Sequence, residues 1–292
     1  MILDDVGFEG KAARINATKG NLTLGDIDSG CPLTIKGNKK TKLVIEGDIE
    51  AASITGFGEV VINGSVTVTK ALNAGNLYID NEGDIFVRKG ATIGVKDGID
   101  GFGEIILEDG FKPMTINGKA DGYITLTCEE LFYDGEQIFK SKLTNLEEVF
   151  DYEDSLPTIR DGIYEYGLYN KSGKVYIRAL RYMLDDMPYC EWDDMVKAIN
   201  KTKASDKQYT VTLLSDAELK GFKLPGKKKY ASLTIEGNNF TIMFKGKSVK
   251  LTGDMTLDNV VVRSMAGAWT LKTGGFKLND GGAELPDCTI KR

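Results

Sequence analysis

A six-residue phrase occurs twice in the chain, as Leu33-Thr-Ile-Lys-Gly-Asn38 and as Leu233-Thr-Ile-Glu-Gly-Asn238. Because side chains alternate along a β-strand, its leucine and isoleucine share one face and its polar residues share the other. The glycine and asparagine that follow tolerate the left-handed backbone of a tight corner. Repeated strands and corners of this kind predict a mainly β fold, a β-solenoid whose turns bury apolar side chains in a common interior.

The first half of the chain continues this pattern. Between Asn21 and Cys128, pairs of apolar residues recur with Gly, Asn or Asp between them. The phrase Gly-Phe-Gly-Glu begins at Gly56 and again at Gly101, 45 residues later. We interpret this offset as two solenoid turns of about 22 residues, with Phe57 and Phe102 buried at corners. A flat β-sandwich would show the same alternation, but the recurring phrase and the lack of clear hairpin turns favour a solenoid.

The middle of the chain has a different composition and marks a domain boundary. Aromatic residues crowd between Glu129 and Tyr189, and 151–157 reads as a linker. Asn170-Lys-Ser-Gly173 is a typical hairpin turn between two short strands. We therefore expect a first solenoid unit over 1–154, a linker with a hairpin over 155–191, and a second unit over 192–292.

One segment has a convincing helical pattern, and we expect it to cap the second unit. Its apolar residues follow the spacing i, i+3, i+4 and i+7. They are Trp192, Met195, Val196 and Ile199. The pattern predicts a helix over 192–203 that lies across the first turn of the second solenoid and covers its apolar interior.

The segment from Trp192 to Val262 resembles the opening of a right-handed parallel β-helix of the pectin-lyase-like superfamily. The resemblance rests on the Trp-led helix, on Leu213-Leu-Ser-Asp216, on the Leu224-Pro225 corner and on the strand with its Gly-Asn corner at Asn238. It is similar to modules of large, repetitive bacterial surface proteins. The resemblance implies an extracellular or cell-surface location, and a glycan or a surface protein as partner.

The sequence argues against catalysis without excluding it. The chain contains no histidine, which excludes Ser-His-Asp chemistry and histidine-bound metals. Hydrolases of the superfamily that the chain resembles also use a histidine. Its lyases hold calcium through several carboxylates. The candidate clusters in this chain are Asp26 with Asp28, Asp80 with Glu82 and Asp84, and Asp97 with Asp100. Carboxylates in such turns also bond to their own backbone, so we expect no cofactor and leave a structural calcium ion open.

Three tyrosines, Tyr164, Tyr166 and Tyr169, are candidates for stacking against sugar rings. Burial between two domains is the competing interpretation. A non-catalytic adhesion or spacer module is the favoured function. A polysaccharide lyase or a carbohydrate-binding module is the alternative.

Charge and hydropathy limit the classes of partner that we expect for the chain. The net charge of −6 disfavours nucleic acid, which requires a concentrated basic face. The sequence contains no run of about 18 apolar residues, so we expect no membrane insertion. The acidic start at Met1 lacks the apolar segment of a signal peptide. Because the strand at Cys288 has nothing after it to cover its turn, we expect the chain to be a mature or excised piece of a larger protein.

Overall fold

The computed structural model describes residues 1–152, 156, 166–202, 206–226 and 229–292. The chain divides into two compact units, one of Met1–Pro157 with Leu168–Arg178 and one of Thr158–Gly167 with Ala179–Arg292. Parallel strand ladders dominate both units. The predicted mainly β solenoid is therefore confirmed. Its right-handed coil stays a prediction, which the usual handedness of parallel crossovers favours.

The strands before residue 153 are β1 (Ile2–Leu3), β2 (Val6–Phe8), β3 (Ala13–Asn16), β4 (Leu22–Leu24), β5 (Ile27–Ser29), β6 (Leu33–Lys36), β7 (Lys42–Ile45), β8 (Ile49–Ile62), β9 (Ser65–Ile79), β10 (Asp84–Val87), β11 (Thr92–Gly101), β12 (Glu104–Leu107), β13 (Met114–Ile116), β14 (Lys119–Ala120), β15 (Ile124–Cys128), β16 (Gln137–Lys140) and β17 (Phe150–Asp151). Those after it are β18 (Tyr166–Lys171), β19 (Lys174–Ala179), β20 (Tyr182–Leu184), β21 (Met187–Tyr189), β22 (Gln208–Leu213), β23 (Ala217–Leu219), β24 (Ser232–Glu236), β25 (Thr241–Phe244), β26 (Ser248–Lys250), β27 (Asp254–Asp258), β28 (Val261–Ser264), β29 (Trp269–Lys272), β30 (Leu278–Gly281) and β31 (Cys288–Lys291). The helices are α1 (Leu146–Val149) and α2 (Trp192–Lys201). In the part of the chain that the structure describes, no helix has both the length and the apolar character needed to cross a bilayer.

Each turn of the first unit crosses three faces. Face 1 contains β1, β4, β7, the ends of β8, β9 and β11, and β14. Face 2 contains β2, β5, the starts of β8 and β9, then β10, β12, β15 and β17. Face 3 contains β3, β6, the middle of β8 and β9, the start of β11, then β13 and β16. The coil is therefore a three-sided column.

Apolar side chains of successive turns stack in columns inside this unit. On face 1, Leu22 pairs with Leu43, Leu43 with Val60 and Val60 with Leu77, and each is at most 1% exposed. Burying each such side chain contributes about 1.5–3 kcal/mol. The separation along the chain is 21 residues for the first of these steps and 17 for the next two.

The repeated phrase marks equivalent corners in the two units. The Asn38 side-chain amide donates to the Thr18 carbonyl on the preceding turn (2.7 Å), and that of Asn238 donates to the Leu213 carbonyl (3.2 Å). The glycines before them admit close packing, since a Cβ at Gly37 would lie 2.4 Å from the Phe57 ring. The phrase therefore encodes a corner that hydrogen-bonds to the neighbouring turn.

The Gly-Phe-Gly-Glu recurrence is not a period of the coil. Glu59 pairs with Asn76 on face 1, whereas Glu104 pairs with Asp84 on face 2. Phe57 is buried as predicted, but Phe102 is 58% exposed. The prediction of two 22-residue turns between the two copies was wrong because turn length varies along the unit.

Carboxylates in the corners also join neighbouring turns. The Asp26 backbone N–H donates to Oδ1 of Asp4 (3.2 Å), and the Asp48 N–H donates to Oδ1 of Asp26 (2.9 Å). In the second unit, the Thr241 N–H donates to Oδ1 of Asp216 (2.7 Å) in the same way. These acids stabilise the backbone at the places where the ladder turns.

The second unit has three faces of its own. They contain β22, β24, β27 and β30 on one side, β23, β25 and β28 on the next, and β26, β29 and β31 on the third. The predicted linker over 155–191 is divided: β19 pairs antiparallel with β16 of the first unit, while the hairpin of β20 and β21 lies against β22.

The predicted cap residues Trp192, Met195, Val196 and Ile199 are all buried on one side of α2. The Trp192 ring lies 5.5 Å from that of Tyr182 and 5.3 Å from that of Phe222, and its Nε1–H donates to the Lys223 carbonyl (2.6 Å). The aromatic contacts continue from Phe222 through Phe244 to Trp269. Sequence reasoning missed the second part of the cap. This part is the β20–β21 hairpin, which covers the open edge of β22.

Replacing Trp192 by alanine tests the role of the cap. We expect Trp192→Ala to lower the free energy of unfolding of the second unit by about 3–5 kcal/mol, because it leaves a cavity among Tyr182 and Phe222. Urea unfolding followed by circular dichroism measures the loss. Lys201→Ala, at an exposed position of the same helix, is the control; equal midpoints for the two variants would show that α2 is not a cap.

Replacing Asp26 tests the corner ladder. Asp26→Ala removes the acceptor of the Asp48 N–H and should cost about 1 kcal/mol, whereas Asp26→Asn keeps an acceptor oxygen and should cost less. Asp28→Ala, on the exposed side of β5, is the matched control. Thermal unfolding of the three variants gives the comparison, and an identical effect of alanine at both positions would contradict the ladder.

Candidate functional site

The first unit carries a concave site where face 3 turns into face 1. We call it the notch; its cavity volume is about 890 Å³, and it is lined by Asn21, 39–42, 56–59, 73–76, 92–97, Thr115 and Asn117. The loop over 37–41 is the longest of the four corners, and those over 56–58, 74–75 and 95–97 have two or three residues each. The notch lies along these four corners.

Glycines form the floor of the notch because adjacent corners pack too closely for a side chain. A Cβ at Gly58 would lie 2.3 Å from the Lys39 carbonyl oxygen, and one at Gly75 would lie 2.4 Å from that of Gly58. Contacts under 3.0 Å require the backbone to shift. The floor is therefore peptide backbone, with no room for a side chain at either glycine.

At one end of the notch, hydrogen bonds within the loop over 37–41 hold that loop in place. The Lys40 N–H donates to Oδ1 of Asn38 (2.8 Å), and Thr41 Oγ1 donates to the Asn38 carbonyl (2.7 Å). Asn38 itself bonds back to the preceding turn. These contacts fix the backbone that carries Lys39 and Lys40, whose side chains are exposed.

The notch is more basic than the chain as a whole. Four lysines line it, Lys39, Lys40, Lys42 and Lys96, against the two carboxylates Glu59 and Asp97. Lys42 Nζ lies 2.8 Å from Glu59 Oε1, and both side chains are partly exposed. The ion pair joins two neighbouring turns. It neutralises one of the four lysines and one of the two carboxylates. The remaining lysines suit an anionic ligand.

Two of the tyrosines predicted to stack on sugars lie in β18. Tyr166 and Tyr169 are both half-buried there. Tyr164 lies outside the described residues. A role for these tyrosines in sugar binding stays a prediction.

The acids predicted as calcium ligands lie around a corner after face 1. Asp84 Oδ1 accepts from the Ser65 hydroxyl (2.6 Å), and Asp80 Oδ1 lies 3.5 Å from the Tyr78 hydroxyl. Glu82 is exposed. Throughout the described ranges, no three side chains of the His, Cys, Asp or Glu type are grouped to hold a metal ion. A calcium ion at Asp80, Glu82 and Asp84 stays a prediction.

Shifted pKa values mark packing outside the notch. Burial raises the pKa of Glu136, an effect that the Tyr133 N–H partly offsets. Burial also raises the pKa of the Cys128 thiol to about 11, so that it stays protonated and unreactive at neutral pH. Neither residue lines the notch, and these shifts therefore indicate no acid–base function for it.

Comparison of the chain with protein-family models, curated proteins and solved structures gives no match. Of the resemblance stated from the sequence, the structure supports the β-solenoid fold.

Sequence reasoning missed the notch, although the sequence contains a signal for it. The apolar pair Leu43 and Ile45 is followed after 17 residues by Val60 and Ile62, and after another 17 by Leu77 and Ile79. Turns on either side are longer. Two consecutive short intervals within a solenoid predict shortened corners, and the glycines at 56, 58 and 75 indicate which corner is short.

A glycine substitution tests the floor of the notch. Gly58→Ala forces its Cβ against the Lys39 carbonyl and should lower the free energy of unfolding by about 1–3 kcal/mol, the usual cost of overpacking. Gly7→Ala, whose Cβ would meet no atom closer than 3.9 Å, is the matched control and should leave stability almost unchanged. Urea unfolding decides; equal stability of the two variants would contradict the close packing described for this corner.

Proposed function

We propose that the chain is a non-catalytic β-solenoid module of a bacterial cell-surface protein, where it acts in adhesion or as a rigid spacer. The observation that carries this proposal is the use of corner carboxylates. Asp4, Asp26 and Asp216 accept backbone N–H groups of a neighbouring turn. Acids used in this way rigidify the coil, and a rigid coil extends by adding turns.

The chemistry of the side chains supports a non-catalytic role. Without histidine, an acid–base pair would have to come from carboxylates, lysines, tyrosines or cysteines. In the notch, the closest such contact is the ion pair of Lys42 with Glu59. It joins a cation to an anion across two turns, which is the arrangement expected of a structural contact.

The carbohydrate-binding alternative has a specific observation in its favour. The notch is a concave site whose lining includes amide side chains and lysines, and binding sites are typically concave with a few placed polar groups. A lyase would need one of these lysines as a base beside the sugar. An adhesion module can also bind a glycan. A lyase differs from it in cleaving the polysaccharide that it binds.

Incubation with polysaccharides tests the absence of turnover. The purified chain, mixed with acidic and neutral polysaccharides, should release no unsaturated products, which ultraviolet absorbance detects. Retention on an immobilised polysaccharide without product would indicate adhesion. Steady release of unsaturated product, abolished by Lys42→Ala, would contradict the non-catalytic proposal and establish a lyase.

The location is tested on cells of the source organism. Antibodies raised against the chain should label intact cells, because a surface module is accessible from outside. Labelling that requires permeabilised cells would contradict the surface location and leave the description of the fold unchanged.

A further inference from the structure

We propose that the notch binds a short acidic oligosaccharide, one that carries carboxylate or sulfate groups. The inference rests on the adhesive form of the proposed function, because it assigns a ligand class to that module. It starts from the shape of the notch. Neighbouring turns are about 4.8 Å apart, so the depression measures about 14 Å from the loop over 37–41 to the loop over 95–97, which is three steps along the coil.

Cationic side chains stand at both ends of this depression. Lys39 and Lys40 belong to the first loop and Lys96 to the last, and all three are exposed. Among the described ion pairs, the notch contributes Lys42 with Glu59, and the other three lysines take part in none. Their charges are available to a ligand that carries anionic groups near both ends.

Amide and hydroxyl groups lie between the two ends. Asn73 and Asn76 are exposed on either side of the corner over 74–75, and Asn117 is exposed one turn beyond the loop over 95–97. An amide side chain both donates and accepts hydrogen bonds, which matches the mixed donors and acceptors of sugar hydroxyls. The floor is glycine backbone, and its apolar neighbours such as Phe57 and Ile93 are buried.

This arrangement favours a sugar over an acidic peptide. A peptide that binds along a solenoid would need an unpaired strand edge or apolar pockets for its side chains. The strand that flanks the floor of the notch has no free edge, since β8 pairs with β7 on one side and with β9 on the other. Polar groups at fixed positions therefore remain as the means of recognition.

Binding by the full chain tests the inference. Isothermal titration calorimetry is run with four probes: an alginate-derived uronate oligosaccharide, a carrageenan-derived sulfated oligosaccharide, a cello-oligosaccharide of similar length and an oligoglutamate peptide. We expect one or both acidic sugars to bind, more weakly as salt rises, and the cello-oligosaccharide and the peptide to bind much less. Binding of one acidic sugar alone identifies carboxylate or sulfate as the recognised group.

Charge substitutions locate the site. Lys39→Gln, Lys40→Gln and Lys96→Gln combined should weaken binding about tenfold or more, as expected for three exposed charge contacts. The control combines Lys70→Gln, Lys89→Gln and Lys112→Gln, which change the net charge equally at exposed positions that do not line the notch. Circular dichroism verifies that both variants are folded.

Three outcomes would overturn the inference: no binding of either acidic sugar, equal binding of the neutral sugar or the peptide, or equal losses in the two triple variants. None of these outcomes affects the spacer form of the proposed function. Conversely, turnover of a polysaccharide would contradict the proposed function and leave binding in the notch standing. The two proposals can therefore fail separately.

Discussion

The parallel pairing of each turn with the next is the constraint on which the rest of the structure depends. It places residues of the same kind over one another, as with Leu22, Leu43, Val60 and Leu77 in the interior of the first unit. Each column buries apolar surface on every step and pairs the backbone along every strand. The outer surface follows from the same register, because a residue that faces out is repeated at intervals of one turn.

The corners are less regular than the strands, and the notch lies at corners. A strand must keep its alternation to stay in the ladder, but a corner can gain or lose residues without disturbing its neighbours' pairing. The corners over 56–58 and 74–75 are short and glycine-rich, and the notch forms above them. Asn38 and Asp26 show the complementary case, in which a corner is tied firmly to the next turn.

The sequence predicts the strands well because their rules are local. The phrase at Leu33 and Leu233 correctly indicates a strand followed by a corner, and the spacing of Trp192 and Ile199 correctly indicates an amphipathic helix. The order of turns is a non-local property. When turn length changes from 21 to 17 residues, as it does after Leu43, copies of a phrase fall on different faces, which is why Phe57 is buried and Phe102 is exposed.

The notch and the hairpin half of the cap were not predicted for the same reason. The notch depends on which corners are adjacent across turns, and the hairpin at Tyr182 depends on the edge of β22 that it covers. In both cases, the residues that lie next to each other in space are far apart in the sequence.

Distances between spin labels on one column of face 3 test the stacking most directly. Asn16 and Asn73 are three turns apart in the register, and Asn16 and Lys140 are six turns apart. Because each step adds about 4.8 Å, the backbone positions should be about 14 Å apart in the first pair and about 29 Å apart in the second. The length of the labels adds to both distances. Double electron–electron resonance that finds a longer distance for the second pair, by about 15 Å, agrees with the solenoid. Equal distances, or a shorter one for the second pair, would contradict it.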